Sequence, residues 1–452
     1  MRLALIGAAL LVAFVPASAT SGTPSTDWTR YGYDAARSNV SPDPHINAGN
    51  VGKLKRLQVH LDGTLDSSPI YVAGKIVLTT TYGRTEALNP KNGKVIWRFT
   101  PPGYAHVAGS AQITNSAPVE STDRTAVYAA ASDGRVRKLR LRDGKVLWTT
   151  AITRDPTHEK STSPLNVSRG LVLVTTGGYI GDAPPYQGHV VSLSEKTGRI
   201  QHVWNSLCSD RHAIIVPSTC RSSDSAIWSR NGAAVDPRNG DIVVATGNGP
   251  WNGSTDWGDS VAVLSPDAST MLRHWTPADQ QHLEDADLDI GSTSPALLQN
   301  GYALQGGKDG KLRLLQLDKL PGVNTTTGGE LQTVATPGSS LLFSEPAVWK
   351  GTWAFVSSSG GTQAWRLEGD HLVSAWSNGN SGNSPVLAGA LLYVAGSGGI
   401  HVYVPTSGKD VATLSIGSLH WQSPIVADGR VIIGEGNAND HATSGVLDIF
   451  HL

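Results

Sequence analysis

A short mark, serine and then proline at the start of a strand-like run, returns along the whole chain. It reads Ser67-Ser68-Pro69-Ile70, Ser116-Ala117-Pro118-Val119 and Ser163-Pro164-Leu165 in the first half. In the second half it reads Ser294-Pro295-Ala296, Ser344-Glu345-Pro346-Ala347, Ser384-Pro385-Val386 and Ser423-Pro424-Ile425. Most of these prolines recur at intervals of roughly 40 to 50 residues, the period of a solenoid or propeller repeat. One longer interval holds a degenerate copy, Asn231-Gly232-Ala233, which brings the repeats to eight.

A second mark follows several copies. "ALNPKNGKVIW" (Ala87 to Trp97) returns as "KLRLRDGKVLW" (Lys138 to Trp148) and "SLSEKTGRIQHVW" (Ser192 to Trp204), with looser versions ending at Trp275 and Trp376. Short runs rich in β-branched residues alternate with Gly, Asn and Asp turns, and no segment carries a convincing helical period. Pro at a strand's first residue forfeits no needed ladder donor. A tryptophan ending each outer strand offers an apolar plate to the next repeat and an N–H that can find an acceptor. Four strands per repeat and about 54 residues per unit predict an eight-bladed β-propeller with four-stranded antiparallel blades. "GVLDIF" (Gly445 to Phe450) is placed to pair with "RLQVHL" (Arg56 to Leu61) and hide the ring's open edges.

The chain begins with Arg2, an apolar stretch from Leu3 to Val15, and Ala17-Ser18-Ala19. That pattern reads as a secretory signal peptide over residues 1–19, directing a secreted or periplasmic product with no membrane span. Residues 20–56 then form an extended lead into a propeller over 57–452. On an exported chain Cys208 and Cys220, the only two cysteines, are expected to form a disulfide, with a metal site using His212 as the weaker alternative. No C-x-x-C-H is present to attach a haem. A net charge of −1 without a basic stripe argues against nucleic acid as a partner. Neither a phosphate loop nor H-E-x-x-H nor G-x-S-x-G occurs. A monomer with an unidentified small molecule or protein at the ring's mouth is the expectation.

These blade marks, with the N-terminal "WTRYGYDAARSNVSPDPHINAGNVGKL" (Trp28 to Leu54), resemble the PQQ-like, tryptophan-docked propellers. That group includes quinoprotein alcohol dehydrogenases and non-catalytic scaffold propellers. Stretches such as "WGDSV", "DADLDIGSTSP", "GGKDGKLRLL" and "HWQSPI" are similar to exported bacterial members without an assigned activity. The resemblance implies a site. In the dehydrogenases a strand ending Thr-Gly-Asn gives its Asn to a Ca²⁺ that also holds PQQ. "ATGNGPW" puts Asn248 there, and a carboxamide oxygen is a suitable hard ligand. Asp287, with Asp289 as second choice, matches the catalytic base and would also border the calcium. Lys308 in "GGKDGK" matches the cation beside the quinone oxygens. Trp251, in the long loop after Asn248, is a further cofactor contact.

The departures from that pattern are as informative. Where the family carries a calcium-ligating Glu, "TTGGYIGDAPPYQGHVVSL" offers only Asp182, and Ser116 stands near the place of the family's Arg. No adjacent-cysteine pair is present. Each candidate also has a plain structural role open to it. Asn248 suits a turn before Gly, Asp259 suits a hairpin cap, and Asp287 with Asp289 would share one face if they lie on a strand. Two functions are therefore expected. The first is a ligand- or protein-binding scaffold propeller; the alternative is a PQQ- and calcium-dependent dehydrogenase of an alcohol or sugar.

Overall fold

A computed structural model describes residues 26–179, 181 and 183–452; the signal-peptide reading over 1–19 and Asp182 lie outside the described residues. The strands assemble into eight separate antiparallel sheets, seven of four strands and one of five. Each sheet is one blade. Blade 1 runs from Ile70 to Phe99, blade 2 from Val119 to Ala151 and blade 3 from Glu159 to Asn205. Blades 4 to 7 end at Trp275, Ala335, Asn378 and Leu414. Blade 8 is composite. Ile425–Ala427, Arg430–Glu435 and Gly445–His451 are completed by Lys55–Leu61 from the other end of the chain.

The closing pair is in the expected register, with Arg56 opposite Phe450 and Leu61 opposite Gly445. Each blade's inner strands are buried on both faces, so they read as continuous apolar runs such as "AVYAAA" (Ala126–Ala131). The core is a series of clusters lying between neighbouring blades.

The tryptophans do what a plate on the next blade should do at three positions. Trp97, Trp148 and Trp376 donate Nε1–H to the carbonyls of Leu141 (2.8 Å), Glu195 (3.2 Å) and Pro405 (2.7 Å) in the following blade. Their rings lie on Gly144, Gly198 and Gly408, where an added Cβ would come within 2.6 Å of the indole. Trp204 and Trp275 depart from this pattern. The outer-strand position equivalent to Trp148 is taken by His202 and Arg273 in those blades. Two residues further on, the same face points deeper, so both tryptophans are buried in the inter-blade core.

Beneath the ring lies the segment from Trp28 to Ser41. It is stitched to blades 1, 2, 4, 6 and 7 by backbone hydrogen bonds from or to Trp28, Thr29, Ala35, Ser38 and Ser41. Tyr31 and Arg37 reach up to the axis. Tyr31 Oη donates to Ser384 Oγ (3.1 Å), and Arg37 donates to the carbonyls of Tyr31, Pro164 and Leu165. The residues just before the mark's prolines ring that axis: Ser294 N donates to Glu345 Oε2 (3.0 Å), and Glu345 N to Ser384 Oγ (2.8 Å). Full burial pushes the Glu345 carboxyl well above its ordinary range. Helices are few and short, Tyr104–Val107 and Gln280–Asp285, and no helix among the described residues is long and apolar enough to cross a membrane. The Cys208–Cys220 disulfide is formed.

Candidate active site at the propeller mouth

The face opposite that plug opens into a cavity of about 470 Å³. The repeat itself supplies much of its wall. Three residues before the mark's proline in blades 2 and 8, and before Ala233 in the degenerate copy, a side chain lines the cavity. Asp66, Asn115, Arg230, Phe343 and Trp421 all occupy that one position. Trp228, Phe343 and Trp421 form an aromatic belt, with ring centroids 6.1 Å and 5.1 Å apart along the series. Tyr179 and Tyr186 line another side, and Lys160 Nζ lies 5.3 Å from the Tyr179 ring centre.

On the wall made by blades 4 and 5, three of the sequence candidates converge. Lys308 Nζ lies 2.6 Å from Asp287 Oδ1 and 2.9 Å from Asp289 Oδ1, and 5.4 Å from the centre of the Trp228 ring. Trp228 Nε1 donates to Asp289 Oδ2 (2.8 Å). The two aspartates differ sharply, with side chains 76% exposed for Asp287 and 2% for Asp289. Burial raises the Asp289 carboxyl despite the neighbouring ammonium. Burial also pulls Lys308 down, but Asp289 and Asp287 together outweigh it and leave Lys308 raised. Lys308 is therefore the fixed cation of this wall.

The strand expected to carry both aspartates is absent. Gln280–Asp285 is a helix, Asp287 turns left-handed (φ 52°), and Ile290–Ser292 forms a single 3₁₀ turn. A left-handed residue between Asp285 and Asp289 breaks any two-residue alternation, so the carboxylates do not share a strand face. Asp259 is buried and accepts from Ile290 N (3.3 Å) across the site instead of capping its own hairpin. Burial and the nearby Asp289 and Glu284 push its pKa up to about 8.

Asn248 also lines the mouth. Its Nδ2 donates to the carbonyls of Leu283 (3.2 Å) and Glu284 (3.4 Å), and its own carbonyl accepts from Ser225 N (2.5 Å). Glu284, raised mainly by burial, accepts from Gly249 N. Trp251 is not brought to the cavity. It pairs with Trp257 within its own loop and packs at the edge of an inter-blade core. Sequence reasoning missed Trp228, Arg230, Glu284 and Trp421. The signal was present for two of these, because Arg230 and Trp421 hold the same place in the repeat as Asn115 and Asp66.

For a divalent cation the donor set is thin. Among the described residues no three His, Cys, Asp or Glu side chains cluster as a cation cage. Asn248 and Asp287 line one cavity, and Lys308 already sits against the Asp287 and Asp289 carboxylates. What remains of the lining is aromatic faces with cations beside them, Lys308 near Trp228 and Arg230 on Trp421.

Comparison with known proteins agrees with this picture. A family model described as outer membrane protein assembly factor BamB matches residues 52–243. The quinone-type alcohol dehydrogenase subunit of Acetobacter aceti is 27% identical over 293 residues, 56% of this chain and 39% of that protein. Quinohemoprotein alcohol dehydrogenase ADH IIB of Pseudomonas putida is 26% identical over 315 residues, 61% of this chain and 45% of its own length. The chain thus spans less than half the length of these curated relatives. Among solved structures, quinohemoprotein alcohol dehydrogenase from Comamonas testosteroni superposes with a TM-score of 0.68 at 16% identity, over 94% of this chain and 80% of that one. BamB from Moraxella catarrhalis superposes with a TM-score of 0.59 at 12% identity, over 88% and 98% of the two chains. Eight repeats closed into a ring, with indoles docked on their neighbours' glycine turns, make this chain an eight-bladed β-propeller similar to the PQQ-like propellers.

Proposed function

We propose that the chain is an exported PQQ-dependent dehydrogenase that oxidises an alcohol or sugar at the mouth of the ring. The observation that carries this is the linked set Asp287–Lys308–Asp289–Trp228, a carboxylate, a cation and an indole face on one wall of an aromatic-lined cavity. The dehydrogenase relatives support this reading over the scaffold reading.

When bound, PQQ supplies a quinone that accepts two electrons from the substrate. The chain's own residues provide the rest. Trp228 offers an aromatic face, fixed from behind by its hydrogen bond to Asp289. Lys308 places its ammonium at the edge of that face, held in the charged state by two carboxylates. Asp287 has an oxygen open to the cavity and takes the proton of the substrate hydroxyl. Asp289 has both oxygens engaged, by Trp228 and Lys308, and acts as a positioning residue.

The test is calorimetric titration of the purified protein with PQQ, with and without Ca²⁺, alongside oxidation assays using an artificial electron acceptor. Asp287→Asn should keep PQQ affinity within a few-fold and lower turnover by roughly 10²- to 10⁴-fold. Trp228→Ala should weaken PQQ binding by roughly tenfold or more. Absence of PQQ binding in the wild-type protein under both conditions overturns the proposal.

A further inference from the structure

Blades 4 and 8 face each other across an eight-membered ring, yet one side chain joins them. Arg230, in the lead-in to blade 4, extends over the axis until its guanidinium carbon lies 4.0 Å from the centre of the Trp421 ring, in the lead-in to blade 8. Trp421 is held in turn by Phe343 and His420, at centroid distances of 5.1 Å and 4.5 Å. Both members of the stacked pair line the mouth.

This guanidinium is short of partners. Its Nε is buried without a hydrogen bond, and among the described residues it donates to no acceptor and has no carboxylate within 4 Å. Asp66 is the acid that acts on it from further off, and that carboxylate is already engaged by His420 Nδ1 (2.9 Å), Asn115 Nδ2 (3.4 Å) and Trp421 N (3.4 Å). Burial pulls the Arg230 pKa down to about 10, which leaves it cationic at neutral pH. The other cation on the catalytic wall, Lys308, is compensated by two aspartates. A buried guanidinium costs free energy unless it is paired and hydrogen-bonded. Flattened on an indole, its planar fork is pre-oriented for a bidentate carboxylate.

We propose that Arg230, laid across the axis on Trp421, is the receptor for a carboxylate of the ligand that occupies the mouth. The resemblance-based site contains no counterpart to it, since the family's Arg falls near Ser116 in an earlier blade. The proposal rests on the mouth being the ligand site and not on the ligand being PQQ. Two sources share this chemistry: a carboxylate of the quinone cofactor, or that of a hydroxy-acid substrate.

Arg230→Gln and Arg230→Lys are compared with wild type by calorimetry and by tryptophan fluorescence, with thermal melting as the folding control. The probes are PQQ, glycerate added to PQQ-loaded protein, and isophthalate, a planar dicarboxylate without a quinone. If the cofactor is the source, Arg230→Gln binds PQQ roughly tenfold or more weakly, with Arg230→Lys between the two. If the substrate is the source, PQQ binding is unchanged and glycerate binding falls by a similar factor. If wild type binds no PQQ, the quinone reading fails separately, and isophthalate decides: binding lost in Arg230→Gln supports the receptor. Unchanged affinity for every probe that wild type binds, or no binding of any probe by wild type, overturns it and leaves Arg230 a pin between opposite blades. Should the glutamine variant not fold, the Arg230→Lys titration carries the same decision, since it keeps the charge and loses the fork.

Discussion

Lys308 touches two carboxylates of opposite character, and the difference sets what its removal does. Asp289 is buried and has the ammonium and one indole N–H as its partners, whereas Asp287 is solvated. In Lys308→Met, Asp289 is left buried beside a methyl group, and we expect a loss of about 3 kcal/mol in denaturant unfolding. Adding Asp289→Asn should recover much of that loss, and a double-mutant cycle measures the coupling. Asp259 gives a pH prediction. Its pKa rises from 3.8 to about 8 in the fold, so the folded protein keeps a proton that the unfolded chain releases. The stability that proton contributes is complete below about pH 4, declines through the neutral range and is gone above about pH 8. Asp259→Asn should flatten this stretch of the profile, with the melting temperature of the variant falling less than wild type between pH 5 and 9. A wild-type profile indistinguishable from that of the variant would count against a protonated Asp259.

The docking of an outer strand on its neighbour is the element that holds blade to blade. At Gly144 two constraints coincide: a positive φ of 70° and an indole where a Cβ would sit. Gly144→Ala should destabilise by about 2 to 4 kcal/mol, more than either cause alone. The same substitution at Gly74, with the same φ and open space around it, should cost about 1 kcal/mol. Docking was partly legible in the sequence, because a turn glycine and a terminal tryptophan recur at fixed offsets. What the pattern hid was register. Trp204 and Trp275 close their sequence marks as Trp97 does, but lie two residues late in the strand, and only the strand pairing reveals that His202 and Arg273 occupy the docking position. The cavity wall bearing Lys308 was hidden for a related reason. "DADLDIG" alternates like a strand, yet the preceding Gln280–Asp285 helix and a left-handed Asp287 were decided by tertiary contacts with Gly249 and Asn248. Lys308 and Asn248 were singled out through the resemblance of "GGKDGK" and "ATGNGPW", and the structure sets both in the cavity wall.

At the scale of the whole ring, closure depends on one composite blade. Arg56 makes a two-pronged contact with Asp448 (2.8 Å and 2.7 Å) and a third to Glu435 (2.6 Å), and Asp448 is fully buried. Arg56→Ala should therefore cost about 2 to 4 kcal/mol and speed amide exchange first in Gly445–His451 and Lys55–Leu61. Uniform protection loss across all blades would refute a local opening. The register of seven residue pairs between these segments also has a meaning for biosynthesis. Lys55–Leu61 emerges from the ribosome early and has no partner until nearly four hundred residues later, when Gly445–His451 follows. Throughout that interval the nascent chain carries an unpaired edge, which is a template for pairing with the wrong molecule. Exposed Lys55, Arg56, Gln58 and His60 along "KRLQVHL" give that waiting edge the charged and polar character that disfavours pairing with the wrong strand.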